Sequence, residues 1–164
     1  MQSARWLTAP QPVPTRAVVC GFGRVGATVC AALADADVEF TVIDDQAENV
    51  RGMRDRGIAA VLGDAAQPLV LDQAGIASAR LIVIAIPDAL DARAALDHAS
   101  AAAPDAIVVA RTHSMTERDA LTERGAARVF IGEIELARAI AHASLDALEV
   151  DRERADAIVA ALAP

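Results

Sequence analysis

An α/β fold, built on a doubly wound parallel six-stranded sheet with helices on both faces, is predicted by three features of the sequence. Short β-type runs alternate with helical segments along most of the chain. The runs are continuously apolar and rich in β-branched residues, as parallel strands covered on both faces require. The connections are short, which favours right-handed βαβ crossovers. With 164 residues, 54% of them hydrophobic, the chain suffices for one compact domain with a full core.

The elements follow in order. Residues 1–16, MQSARWLTAPQPVPTR, read as a proline-rich linker or tail, because Pro10, Pro12 and Pro14 each fix φ and withhold a backbone donor. Trp6 lies in that tail, and its place there suggests a connector to something upstream. The first strand is AVVC (17–20). It runs into Gly21-Phe22-Gly23-Arg24-Val25-Gly26 and then a helix with an apolar stripe of Val25, Val29, Ala32 and Leu33. EFTVID (39–44) is the second strand, and QAENVRGMRDRG a helix stopped at Gly57. AAVLG (59–63), LIVIAIP (81–87), AIVVAR (106–111) and RVFIG (128–132) complete the sheet, and ERDALTERG stops at Gly125.

The last helix of the folded part is EIELARAIAHASLDAL (133–148), and it has two apolar faces. Ile134, Ala137, Ala141 and Leu148 form one stripe; Leu136, Ala139, Ala143 and Ala147 form the other. One can pack on the domain's own sheet, and the second is then exposed unless a partner covers it. The small alanines of that second face would let another helix approach closely. Residues 17–148 make the domain and 149–164 a helical extension.

Composition narrows the chemistry. A net charge of −8 and a pI near 4.8 argue against a nucleic-acid partner. All 15 basic residues are arginine, and there is no tyrosine. Schiff-base chemistry, a Walker lysine and a Tyr/Lys proton-transfer pair are thereby excluded. Cys20 and Cys30 read as small apolar core residues. No Cys/His spacing suits zinc, so no metal site is expected. No apolar run is long enough to span a bilayer.

The glycine turn carries the functional signal. Gly21 permits the tight turn, Gly23 lets backbone approach a phosphate, and Gly26 lets the helix pack close to the sheet. The helix N-terminus then offers free N–H groups to the anion. Asp44 ends the second strand, where a carboxylate binds ribose hydroxyls, and with Asp45 it would repel a 2′-phosphate. The expected cofactor is therefore NAD(H) or AMP, an adenine nucleotide with a free 2′-hydroxyl, held in a Rossmann-like fold. Asp44 is expected to be an exposed strand-end carboxylate whose loss leaves the fold intact. Arg24 can reach phosphate from the solvent side. Among the histidines, His113 is the best placed for chemistry, beyond the strand ends, whereas His98 and His142 read as surface residues. Without lysine, tyrosine or a substrate domain, no catalytic residues are assigned. The chain reads as a sensor and not an enzyme; the alternatives are the isolated NAD-binding domain of a dehydrogenase and a soluble regulator associated with a separate membrane protein.

GIAAVLGDAAQPLVLDQAGIASARLIVIAIPD resembles the segment between the third and fourth strands of the RCK/KTN domains, of TrkA-N type, which regulate potassium channels and transporters. Gly63, Asp64, Ala65, Leu71, Ala74, Gly75, Ile76, Pro87 and Asp88 carry the likeness. VVARTHS and GAARVFIGEIELARAI resemble the family's fifth strand and its final strand and helix. The glycine turn and ARTHS are most similar to the cytosolic domain of bacterial cation:proton antiporters of the potassium-efflux class. The resemblance implies that Asp64 and Ala65 lie near the adenine, that Ile86 and Pro87 border the ligand, and that Arg111 reaches the phosphates. It implies a transmembrane antiporter domain upstream, joined by the proline-rich linker. The chain would then lie at the cytoplasmic face of the inner membrane and dimerise through its final helix.

Overall fold

The computed structural model describes residues 16–162. The proline-rich stretch, with Trp6, lies outside them except for Arg16. Six strands alternate with helices: β1 (Arg16–Cys20), α1 (Arg24–Asp35), β2 (Glu39–Asp44), α2 (Ala47–Asp55), β3 (Ala59–Leu62) and α3 (Pro68–Gln73) come first. After a 3₁₀ turn at Ile76–Ser78 follow β4 (Leu81–Ile84), α4 (Ala89–Ala102), β5 (Ile107–Thr112), α5 (Met115–Glu123), β6 (Arg128–Ile131), α6 (Gly132–Ala147) and α7 (Arg152–Ala161). The strand order is β3-β2-β1-β4-β5-β6, and every pairing is parallel. This is the doubly wound sheet the sequence predicts.

Side chains of successive strand residues leave the sheet on opposite sides, which divides the core into two layers. Ile43, Cys20, Ile84 and Ala110 lie in one row across four strands, and with Val18 and Ile82 they pack under Leu71 of α3, Leu96 of α4 and Leu121 of α5. Val42, Val19 and Val83 form the opposite row, against Cys30 of α1 and Val50 and Met53 of α2. Both cysteines are free and buried, and burial pushes the thiols up, to about 12 for Cys20 and about 11 for Cys30. At neutral pH both are inert apolar filling.

The helix stops are those expected. After α2, Gly57 takes φ +76°, its N–H donates to the Arg54 carbonyl, and the Ile58 N–H donates back to Met53. Gly125 repeats the motif after α5, with bonds from Gly125 to Thr122 and from Ala126 to Leu121.

Four expectations are corrected. The buried stripe of α1 is Gly26 and Cys30, with Val29 and Leu33 half-buried, whereas Ala32 is exposed and Val25 is 45% exposed. Gly26 sets the rotation of the helix by lying directly under the turn, so Val25 swings outward. The inward face of α6 holds Ile134, Ala141 and Leu145, not Ala137 and Leu148, and none of its residues is fully buried. β4 ends at Ile84, so Ile86 and Pro87 belong to the loop that follows. Arg16, grouped with the linker by sequence, opens β1 and donates to Thr41 Oγ1 at 2.8 Å and to the Ala74 carbonyl at 3.2 Å.

The other predicted face of α6 is open. Leu136 is 61% exposed and Ile140 58%, with Ala139, Ala143 and Ala147 beside them. α7 packs on α6 and buries its own Ala155 and Val159. Among the described residues, no helix is long and apolar enough to cross a membrane.

One ion pair fastens α4 to α5. Arg93 grips the buried Glu117 with two bonds, Nε to Oε1 at 2.8 Å and Nη2 to Oε2. The guanidinium holds the Glu117 carboxyl below the usual carboxylate range, against the opposing effect of burial. A depressed carboxyl pKa contributes stability above the pKa of the unfolded chain, lost as pH falls through the folded value. Stability should therefore fall steeply below about pH 4.3, the ordinary glutamate value. Glu117→Gln should melt several degrees lower at pH 7 and show a flatter acid limb, read by thermal denaturation from pH 7 to pH 3.

Candidate functional site

Parallel strands place all their carboxyl ends on one edge, and the order reverses between β1 and β4. At that reversal the loops after β1 and β4 diverge and leave a crevice. A groove of about 700 Å³ occupies it.

Its floor begins with the glycine turn. The Gly21 N–H donates to the Ile43 carbonyl at 2.7 Å, which fastens the end of β1 to β2. A Cβ on Gly26 would lie 1.8 Å from the Gly21 carbonyl oxygen, closer than any atom can come. Only glycine lets α1 start directly over the strand. No side chain caps α1, whose N-cap is Gly23, and nothing lies within 4 Å of where a Gly23 Cβ would point. The N–H groups of the helix's first turn are therefore open to an anion, with the positive end of the dipole behind them.

Asp44 differs from its expected state. It is only 8% exposed, and its carboxylate organises the turn. Oδ2 accepts the Phe22 N–H at 2.7 Å; Oδ1 accepts the Gln46 N–H at 3.0 Å and Asn49 Nδ2 at 2.9 Å. Burial of an acceptor this heavily used makes it structural as well as chemical, so its removal would not leave the fold indifferent. A carboxylate offers about four acceptor positions, and these bonds leave one for a ligand hydroxyl.

The groove brings together Gly21, Phe22, Gly23, Arg24, Val25, Asp44, Asp45, Asp64, Ala65, Ile86, Pro87 and Arg111. Gly26 supports the turn from behind and does not line it. Ala65 is almost wholly buried, and Asp64 Oδ1 accepts the Ala66 N–H at 2.8 Å. The Arg24 guanidinium is exposed and pairs with no described residue. Arg111 Nη2 stands 2.6 Å from His113 Nε2. Since arginine only donates, Nε2 is the acceptor of that contact.

Ile43, Gly63, Ala85, Asp88 and Asp91 line the groove without having been assigned to it from sequence. Asp88 is the N-cap of α4 and accepts the N–H groups of Leu90 at 2.8 Å and Asp91 at 3.0 Å. The Asp-x-x-Asp spacing just after an apolar strand was the available signal. Burial, then Asp88, then Asp64, push the Asp91 carboxyl above the ordinary aspartate value. Among the described residues, no group of His, Cys, Asp and Glu is placed to hold a metal ion.

Comparison with known proteins gives this geometry a family. Residues 17–132 match the TrkA-N domain. The chain is 35% identical over 129 residues to Escherichia coli (strain K12) YbaL, which bears the name of a cation/proton antiporter; the match covers 79% of this chain and 23% of that one. The crystal structure of the TrkA-N domain of the inner membrane protein YbaL superposes with a TM-score of 0.75 at 34% identity, covering 79% of this chain and 96% of that domain. KefB of Alkalimonas amylolytica, named for potassium efflux, is 31% identical over 142 residues, 87% of this chain and 22% of that protein. The Kef C-terminal domain of Shewanella denitrificans, solved with AMP bound, shares the fold at a TM-score of 0.75 and 22% identity, over 88% of this chain and 87% of that one. The chain thus spans less than a quarter of the length of these full-length relatives, whose names are those of transporters and not of catalysts.

The turn's two kinds of glycine should separate on substitution. Gly26→Ala should cost roughly 1–3 kcal/mol or more, because backbone cannot move aside as a side chain can. Asp44→Ala, which strands the Phe22 N–H, should cost about 1–3 kcal/mol. Gly23→Ala should cost less, about 0.5–1 kcal/mol, because alanine is the poorer N-cap. Urea denaturation of the three variants reads these values; an unaltered midpoint for Gly26→Ala would refute the packing argument.

Proposed function

The chain belongs to the TrkA-N domain family, and on that premise we propose that it is the nucleotide-sensing, regulatory part of a potassium or cation:proton antiporter. In this reading it binds AMP or NAD(H) in the groove at the β1/β4 reversal. Binding then controls ion exchange by a transmembrane antiporter domain, attached upstream through the proline-rich segment, from the cytoplasmic face of the inner membrane.

The observation that carries the proposal is the open, uncapped N-terminus of α1 beside the Asp44 carboxylate. The phosphate lies on the N–H groups of Arg24 and Val25, where the Arg24 guanidinium reaches it from solvent. Asp44 accepts a ribose hydroxyl at its remaining acceptor position, and a 2′-phosphate there would meet the Asp44 and Asp45 charges. Asp64 and Ala65 flank the adenine, Ile86 and Pro87 cover the ligand's other side, and Arg111 bonds phosphate from β5. Because Asp44 also holds the Phe22 N–H, a ribose drawing on that carboxylate is sensed by the turn itself. The names of the relatives, cation antiporters in which this segment is a small part, support the attached membrane domain.

AMP and NAD(H) should raise the melting temperature well above the effect of NADP(H); a ligand at 100 times its dissociation constant adds about 2.7 kcal/mol. Arg24→Ala and Arg111→Ala should each weaken AMP by about 1.5–3 kcal/mol and leave adenosine nearly unaffected. Calorimetry with adenosine, AMP, NAD and NADP checks both statements, and equal stabilisation by NADP removes Asp44 and Asp45 from the ribose site.

The exposed face of α6 completes the proposal. Leu136, Ala139, Ile140, Ala143 and Ala147 pack against the same face of a second copy, and small alanines let the helices approach closely. Nucleotide binding shifts the arrangement of the two subunits and so reaches the membrane domain. Sedimentation equilibrium should show a dimer at tens of micromolar, and Leu136→Arg with Ala143→Arg should give folded monomers that still bind nucleotide. A dimer persisting in that variant places the interface elsewhere.

A further inference from the structure

Arg111 lines the groove at the β1/β4 reversal while bonded to a residue that does not, His113. β5 ends on Thr112, so the two side chains stand two residues apart on one side of the chain. Thr112 is buried, its Oγ1 accepts the Ser114 N–H at 3.4 Å, and Ser114 caps α5 by accepting the Glu117 N–H at 3.1 Å. The backbone of His113 is thereby pinned on both sides, and its side chain stands exposed. There Nε2 accepts from Arg111 Nη2 at 2.6 Å. The other two histidines are held by carboxylates instead, His98 Nε2 by Asp72 at 2.8 Å and His142 Nδ1 by Asp156 at 3.5 Å.

That difference in partner reverses the sign of a response to pH. Nε2 accepts the arginine proton through its lone pair, and a protonated ring has no lone pair there. Protonation also sets two cations in contact. A proton therefore strengthens the hold of Asp72 and Asp156 on their histidines and breaks the contact between His113 and Arg111. The charged groups that share the groove with Arg111 are Asp44, Asp45, Asp64, Asp88 and Asp91, with the Arg24 guanidinium. On α5, which follows His113, Glu117 is committed to Arg93 and Arg118 to Asp119. Among the described residues, the charged group bonded to the His113 ring is Arg111.

We propose that His113 is a pH-dependent restraint on Arg111: the neutral ring withholds the guanidinium from the groove, and the protonated ring releases it to the phosphate of a bound nucleotide. The proposal rests on the reading of the groove as a nucleotide site with Arg111 on phosphate, and adds a regulator of that site. His113 touches no ligand in this scheme; it positions the residue that does. Binding draws Arg111 away from the ring and brings an anion near, and both changes favour a charged His113. By reciprocity, a nucleotide whose binding is promoted by a proton takes up a proton when it binds. Contact between two like unit charges in water is worth about fivefold in affinity, which sets the size of the response. The response falls between about pH 8 and pH 5.5, where a histidine changes charge. A domain attached to a proton-exchanging transporter would thereby read the proton together with the nucleotide.

The test is calorimetric titration of the 164-residue chain with NAD, whose diester phosphates keep their charge across that range. AMP, whose phosphate titrates there, is read as the difference between wild type and His113→Gln. NAD affinity should rise about fivefold from pH 8 to pH 5.5. Near pH 6.5 the binding enthalpy should vary with the ionisation heat of the buffer, in the sense of proton uptake. His113→Gln carries no titratable group and should flatten the profile and remove the buffer dependence. His113→Ala should bind nucleotide more tightly than wild type at pH 8, because nothing then restrains Arg111. Should either variant fold poorly, the wild-type pH and buffer series decide alone. A flat wild-type profile, or proton release on binding, overturns the restraint while leaving the nucleotide site standing. So does a profile that persists in His113→Gln, which would assign the proton to a groove carboxylate. Binding by His113→Ala no tighter than wild type at pH 8 also overturns it, since the ring would then act on the ligand directly. Failure of both AMP and NAD to bind at any pH overturns the reading of the groove itself, and this proposal with it.

Discussion

The Cβ that Gly26 lacks would sit 1.8 Å from the carbonyl oxygen of Gly21, and the domain is arranged around that missing atom. The contact lets α1 begin on top of β1 instead of beside it. The rotation of α1 follows, with Cys30 directed into the core and Val25 into solvent. So does the opening of the groove, since a helix set further back would leave its first N–H groups facing the sheet. Asp44 completes the constraint from the neighbouring strand by holding the Phe22 N–H. Turn, helix and second strand are thereby one rigid unit.

That unit explains why structure and recognition are hard to separate here. In a typical dinucleotide fold the acidic residue at the end of the second strand is assigned to the ligand. In this chain the same carboxylate is already buried and bonded to three N–H donors of its own protein. A substitution at Asp44 therefore perturbs binding and stability together, and only measurements that separate them can apportion its role. Gly23 and Arg24 are the cleaner reporters of recognition because little in the protein depends on them.

Much of this was legible in the sequence because the decisive signals are local. Continuous β-branched runs, a glycine turn between strand and helix, and glycines at φ > 0 after α2 and α5 are each short-range patterns with one physical solution. Twelve of the thirteen residues assigned to the cofactor from sequence and resemblance line the groove, the exception being Gly26. What the sequence did not reveal depends on three-dimensional neighbours. The face of α1 was misplaced because periodicity counts apolar residues and cannot see that a glycine is the closest contact. The burial of Asp44 arises from Phe22 and Asn49, which are distant from it or look unremarkable in the chain. Asp91 enters the groove from the first turn of α4, and its meeting there with the loop after β3 is a tertiary fact. On α6 the two-faced pattern was legible, but Leu145 and not Leu148 completes the inward stripe, since the helix ends at Ala147.

The strand order carries a consequence for how the fold is reached. β1 is central and pairs with β2 on one side and with β4 on the other, where Ala17 meets Leu81. The first pairing needs only one intervening helix, whereas the second waits for β2, α2, β3 and α3 to be out of the way. Chain emerging from a ribosome would thus hold β1, β2 and β3 together with the backbone N–H and C=O groups of β1 unpaired on the side that β4 later takes. Parallel pairing of this separation is slow, and an unpaired edge invites other chains. The interval before β4 arrives is when this domain is most exposed to aggregation, and chaperone dependence should be greatest for chains arrested between β3 and β4.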